Sequence, residues 1–158
     1  MKRLWHMFML ILRREGFKRA KYIKKHDLFG GMGENCYYHP ILIPAESKLV
    51  TFGDNVVVAK GVELVTHDMS HAVLGHDKSL EEKIGPGKYP YYTDKITIGN
   101  NVMIGANTMI MPGVRIGNNI VIGGGAVVTR NIENGLVVGG IPAKVIGNYY
   151  DFAKKRRR

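Results

Sequence analysis

The sequence predicts an all-β fold: a left-handed parallel β-helix of hexapeptide repeats, with an N-terminal helix, a long inserted loop and a short C-terminal helix. Three observations carry this: a strict six-residue period, a surplus of glycine, and one aperiodic stretch that interrupts the period. Cut from Ile98, the chain reads IGNNVM, IGANTM, IMPGVR, IGNNIV, IGGGAV and VTRNIE. Ile98, Ile104, Ile110, Ile116, Ile122 and Val128 take the first position. Val102, Thr108, Val114, Ile120, Ala126 and Ile132 take the fifth. Each unit is one short strand and one corner, so three units close a triangular coil of about eighteen residues. First-position aliphatics point inward, and an isolated coil has nowhere to bury them, so stability comes from stacking. Glycine is 20 of 158 residues, against a usual share of about 7%. Gly, Asn and Asp at positions two to four suit tight or left-handed corners.

The elements follow in order. Residues 1–30 form a basic amphipathic helical segment. An apolar run from Leu4 to Leu12 lies between Lys2-Arg3 and Arg13-Arg14. His6 interrupts the run, no small-x-small cleavage site follows it, and it is too short to span a bilayer. Leu4, Phe8, Ile11 and Leu12 share one helical face, while Lys2, Arg3, Arg13, Arg14, Lys18 and Lys21 supply the polar character. The β-helix domain covers 31–147. MGENCY and YHPILI are a degenerate start, with Met32 and Tyr38 in the first position and Cys36 in the fifth, as a small buried filler. The register is irregular between Ile43 and Phe52. FGDNVV, VAKGVE and LVTHDM, from Phe52, Val58 and Leu64, make a further coil. From about 69 to 95 the period is lost. A loop this long in a compact repeat domain is usually functional or disordered, and Ser79 to Lys83 read as a helical turn within it. ENGLVVGGIPAKVIG ends the β-helix. Residues 148–158 form a C-terminal helix from Asn148 and a basic tail.

Composition narrows the function classes. With 45% hydrophobic and 23% charged residues, the chain is that of an ordinary globular protein. Its single cysteine excludes an intrachain disulfide and a CxxC zinc site, and suits a reducing cytoplasm. The net charge of +10 is uneven: +8 in residues 1–25, +5 in 154–158, and −3 over 26–153. The body offers no basic stripe, which argues against nucleic acid. Basic ends and an amphipathic helix suit the anionic inner face of a membrane; equally, the apolar face of that helix suits a cap on the open end of the β-helix.

The run ITIGNNVMIGANTMIMPGVRIGNNIVIGGGAVVTRNIENGLVVGGIPAKVIG resembles the hexapeptide-repeat acyltransferases. VTFGDNVVVAKGVELVTHD is similar to the segment of that family that carries its catalytic histidine. The branch most resembled is that of polysaccharide-biosynthesis and sugar O-acetyltransferases, with the xenobiotic acetyltransferases nearby. The likeness spans about residues 30–148. It implies acetyl-CoA as co-substrate, a saccharide hydroxyl as acceptor, no metal, and a cytoplasmic homotrimer with each site in a groove between subunits.

The resemblance also implies roles for single residues. His67 is the general base, since an imidazole with an ordinary pKa of about 6.5 suits proton removal near neutral pH. Asp68 is the adjacent candidate to fix its tautomer, although strand alternation points it away and a backbone carbonyl would serve as well. Met103 stands where sugar acetyltransferases often carry an aromatic, and would pack on the pantetheine arm or the acceptor. Ala106 and Gly124 match the pantetheine track, where small residues admit close approach. Thr129 and Arg130 match the nucleotide end, and Lys144 a second basic position there. Tyr89, Tyr91 and Tyr92 would offer ring faces to a sugar, or anchor the loop. His71 and His76 read as solvated loop residues. Two alternatives stay open: acetyl transfer to a xenobiotic or amino-sugar acceptor, and a non-acetylating β-helix, either a hydratase with metal on His67, His71 and His39 or a scaffold.

Overall fold

The hexapeptide period builds three parallel faces. In the computed structural model, which describes residues 2–157, the first face stacks Gly31–Met32, Val50–Phe52, Ile96–Ile98 and Arg115–Ile116. The second stacks Tyr37–Tyr38, Val56–Val58, Val102–Ile104, Ile120–Ile122 and Leu136–Gly139. The third stacks Glu63–Leu64, Met109–Ile110 and Val127–Val128. Register follows the repeat: Ile98 lies beside Ile116, Ile104 beside Ile122 and Ile110 beside Val128, each 18 residues on. Across the inserted segment the step is 46, Phe52 to Ile98 and Leu64 to Ile110, so one coil carries 28 extra residues. In the first coil the step is 20, Met32 to Phe52 and Tyr38 to Val58. A short 3-10 turn at Ser47–Leu49 falls in the stretch of irregular register.

Every first- and fifth-position side chain from Ile98 to Ile132 is buried. Each fully buried isoleucine contributes about 1.5–3 kcal/mol. The corners explain the asparagines. Asn55, Asn101 and Asn119 sit in the left-handed region, at φ 56°, 57° and 57°, which asparagine tolerates better than most residues. Their amides form a ladder, Asn55 Nδ2 to Asn101 Oδ1 and Asn101 Nδ2 to Asn119 Oδ1, both 2.9 Å. At Gly105 a Cβ would meet the Gly124 backbone nitrogen at 2.4 Å, so this corner stacks closely only as glycine.

The all-β expectation needs correcting: five helices accompany the coils among the described residues. The N-terminal segment holds two helices rather than one, α1 (Lys2–Ile11) and α2 (Gly16–Lys25). Glu15 separates them and caps α2, its carboxylate accepting from the Phe17 N–H at 3.2 Å. Arg19, buried, donates to the carbonyls of Leu10 (2.9 Å), Arg13 (2.7 Å) and His39, tying α1 to α2 and to the first coil. Leu10 and Ile23 pack with Phe29 and Tyr38 over the open start of the β-helix. The helices form because this edge has no further coil to cover it. The inserted segment carries α3 (Ser70–Leu74) and α4 (Ser79–Ile84), the latter where the sequence predicts a helical turn. An antiparallel ladder, His67–Asp68 with Tyr92–Thr93, closes its base. At the far end Lys144–Asn148 folds back antiparallel on Leu136–Gly139, and Asn148 caps α5 (Tyr149–Arg156). No described helix is long and apolar enough to cross a membrane.

Candidate active site

His67 stands on the corner after the third face, where the inserted segment leaves its coil. Leu64 and Thr66 point into the core there, and His67 is left half-buried at the edge. Its Nδ1 lies 2.9 Å from Oε2 of Glu46. Thr66 Oγ1 donates to the same oxygen at 2.7 Å, and the Tyr91 hydroxyl donates to Oε1 at 3.0 Å. Burial pushes the Glu46 carboxyl up, but hydrogen bonds from Thr66, His67 and Tyr91 outweigh it and hold the pKa at about 2. Near neutral pH Glu46 is therefore an acceptor only. It fixes the proton on Nδ1 and leaves the lone pair on Nε2. The Tyr91 ring sits between two histidines, 5.4 Å from His67 and 5.2 Å from His71 between centroids.

Asp68 is not the group that orients the ring. Its carboxylate accepts from the Ser70 N–H (2.9 Å) and hydroxyl (2.6 Å), and these bonds lower its pKa. Alternation along the strand sends successive side chains to opposite sides, so His67 meets Glu46 and Asp68 faces the start of α3. The three tyrosines separate. Tyr91 joins the His67 cluster. Tyr92 pairs with Asp68 in the ladder and donates to Asp94 at 3.2 Å. Tyr89 lines a pocket within the loop, with Leu74 and Leu80, that His67 does not share. His71 is not simply solvated: its Nδ1 is buried without a hydrogen-bond partner among the described residues. Among the described residues, no three His, Cys, Asp or Glu side chains come together as a metal-ligand set.

A cavity of about 370 Å³ opens beside His67. The segments Leu42–Ala45 and Val62–His67 wall it, with Tyr38 between them and Arg3 reaching in from α1. Glu46, Thr66 and Arg3 are the site residues that repeat reading missed. A carboxylate inside the apolar ILIPAES stretch, where the register slips, is the one signal that points to Glu46.

The residues matched to acetyl-CoA lie elsewhere on the coil. Met103 projects from the second face between Val57 and Val121, 41% exposed. Ala106 and Gly124 stack on the corner between the second and third faces, where the Gly125 N–H reaches the Ala106 carbonyl at 2.8 Å. Thr129 and Arg130 are on the corner of His67, two coils along. Lys144 pairs with Gly139 on the terminal hairpin. Arg130 and Lys144 are exposed and hold no ion pair among the described residues. Within one protomer, the third face separates His67 from the Ala106–Gly124 corner.

Comparison with known proteins places this geometry in a family. A family model for the bacterial transferase hexapeptide (six repeats) matches residues 95–130. The galactoside O-acetyltransferase of Escherichia coli (strain K12) is 39% identical over 120 residues, covering 76% of this chain and 54% of the relative. Protein CapG of Staphylococcus aureus is 39% identical over 120 residues, covering 73% and 63%. The chain thus spans little more than half to under two thirds of the lengths of these two curated relatives. A solved galactoside acetyltransferase in complex with coenzyme A superposes with a TM-score of 0.64 at 33% identity, over 87% of this chain and 72% of that one. The chain belongs to the hexapeptide-repeat acyltransferases and shares their left-handed parallel β-helix.

Proposed function

We propose that the protein transfers the acetyl group of acetyl-CoA to a hydroxyl of a saccharide, with His67 as general base. The observation that carries the assignment is the His67–Glu46 pair: an ionised carboxylate holds the ring in one tautomer, at the edge of a cavity large enough for a sugar. Nε2 takes the proton of the acceptor hydroxyl as its oxygen attacks the thioester carbonyl. The tetrahedral intermediate collapses with cleavage of the C–S bond, and the departing sulfur takes the proton back from the imidazolium. Glu46 stabilises that imidazolium, as the carboxylate of a catalytic triad does. Relatives named for galactoside acetyl transfer, one of them solved with coenzyme A, support this substrate class.

The corner of Ala106 and Gly124 suits a pantetheine arm, because these two positions carry no side chain larger than a methyl. Arg130 and Lys144, without an ion pair among the described residues, are cations for the phosphates at the nucleotide end. Met103 takes the outward position beside this track. Since His67 and this track lie on different corners, a second copy completes the site: one subunit supplies His67 and its neighbour supplies the Ala106–Gly124 corner. The working unit is then a cytoplasmic homotrimer with three shared grooves. Asp68 serves to turn the chain into α3, and Tyr91 holds Glu46 while its ring lies against those of His67 and His71.

Release of CoA from acetyl-CoA, followed with a thiol reagent across saccharides, amino sugars and xenobiotic alcohols, tests the assignment. Saccharide-dependent release supports it. Release with amines or xenobiotics alone would move the enzyme to another acceptor class.

A further inference from the structure

We infer that the outer face of α1 docks on an anionic lipid surface, which sets the His67 cavity at the membrane interface and selects a lipid-linked saccharide as acceptor. Only the choice of acceptor rests on the acetyl-transfer reading; the docking does not.

Helix α1 has two apolar faces. Met7 and Leu10 point inward to the capped coil, and the His6 ring bonds the Tyr22 hydroxyl at 2.9 Å. The opposite face carries Leu4, Trp5, Phe8, Ile11 and Leu12, between 50% and 66% exposed. At 100° per residue these five share an arc of roughly 120°. Capping the β-helix accounts for the first face and leaves the second without a partner among the described residues. Single exposed apolar residues are ordinary, but a contiguous stripe of this size marks an interaction surface.

The charge of the two N-terminal helices and their junction points to the partner. Lys2, Arg3, Arg14, Lys18 and Lys21 are all exposed, and none holds an ion pair among the described residues. Trp, Phe and Leu on one side with Lys and Arg around them is the pattern of a helix lying in the plane of an anionic bilayer. Lysine is depleted at protein–protein interfaces, and three of these five cations are lysines. Arg3 lies on the inner side of α1, roughly 140° from the centre of the stripe, and lines the cavity that ends at His67. A helix bound by its outer face therefore holds the cavity about one helix diameter, roughly 10–12 Å, above the lipid contact, where a saccharide on a lipid phosphate would lie.

Trp5 is the only tryptophan of the chain, so the native protein reports its own docking. With phosphatidylcholine vesicles containing phosphatidylglycerol, Trp5 emission should shift to the blue and be quenched by brominated lipid. Phosphatidylcholine alone should give no shift, and salt should weaken the effect. Phe8→Glu and Leu12→Glu alter exposed side chains; each should weaken vesicle binding about tenfold or more while CoA release with a water-soluble saccharide stays at the wild-type level. The same saccharide presented on a lipid in those vesicles should be acetylated faster by wild type than by Phe8→Glu. No vesicle binding by wild type at low salt would overturn the docking. So would a smaller assembly in the Phe8→Glu variant, which would make the face a contact between copies. Docking without preference for the lipid-linked saccharide would overturn the acceptor assignment. Loss of turnover with every acceptor in wild type would instead count against acetyl transfer itself.

Discussion

His67 and Glu46 show what one residue position decides. Two neighbouring carboxylates compete to orient the ring, and backbone direction selects between them: Asp68 bonds Ser70, while Glu46 reaches Nδ1 from 21 residues away. His67 is legible in sequence because it ends a coil at the repeat's one break. Glu46 is not, because the first coil steps by 20 residues instead of 18, and that slip hides which residues of the irregular stretch face the corner. Glu46→Gln keeps the shape and removes the charge, and should lower kcat about 10–100-fold with CoA affinity little changed; steady-state kinetics with a CoA-binding measurement check this. The depressed Glu46 pKa also has a stability signature. Its contribution is complete above the ordinary carboxylate value of 4.5 and is lost as pH falls toward about 2. Urea unfolding at graded pH should show a shallower loss of stability over that window in Glu46→Gln than in wild type.

At the scale of elements, periodicity makes the coils legible and says nothing of what covers their ends. Inward positions, the inserted segment and the helix start at Asn148 all follow from spacing or capping residues. The break between α1 and α2 does not, because Arg13-Arg14-Glu15 sits inside a stretch whose charge and apolar pattern continue through it. It takes buried Arg19, bonded to three carbonyls, to fold the two helices together. The corner ladder gives a second test. Asn101→Ala keeps a left-handed backbone but removes both amide bonds, and should cost about 1–2 kcal/mol from the left-handed conformation alone. Thermal unfolding should show a lower Tm with the fold retained. Ile116→Ala, at a fully buried first position, should cost about 2–5 kcal/mol.

For the whole molecule, the placement of His67 and the Ala106–Gly124 corner on either side of the third face predicts shared sites. His67→Ala and Gly124→Trp subunits should each be inactive as pure assemblies and regain activity when mixed, since a hybrid groove unites an intact histidine with an open corner. Activity that never exceeds that of either parent would place both elements of the site in one subunit. The central claim, acetyl transfer with His67 as base, is tested most directly by acceptor-dependent CoA release from wild type and His67→Ala side by side. The account predicts loss of turnover in the variant with folding and CoA binding intact; release at the wild-type rate from His67→Ala would contradict it.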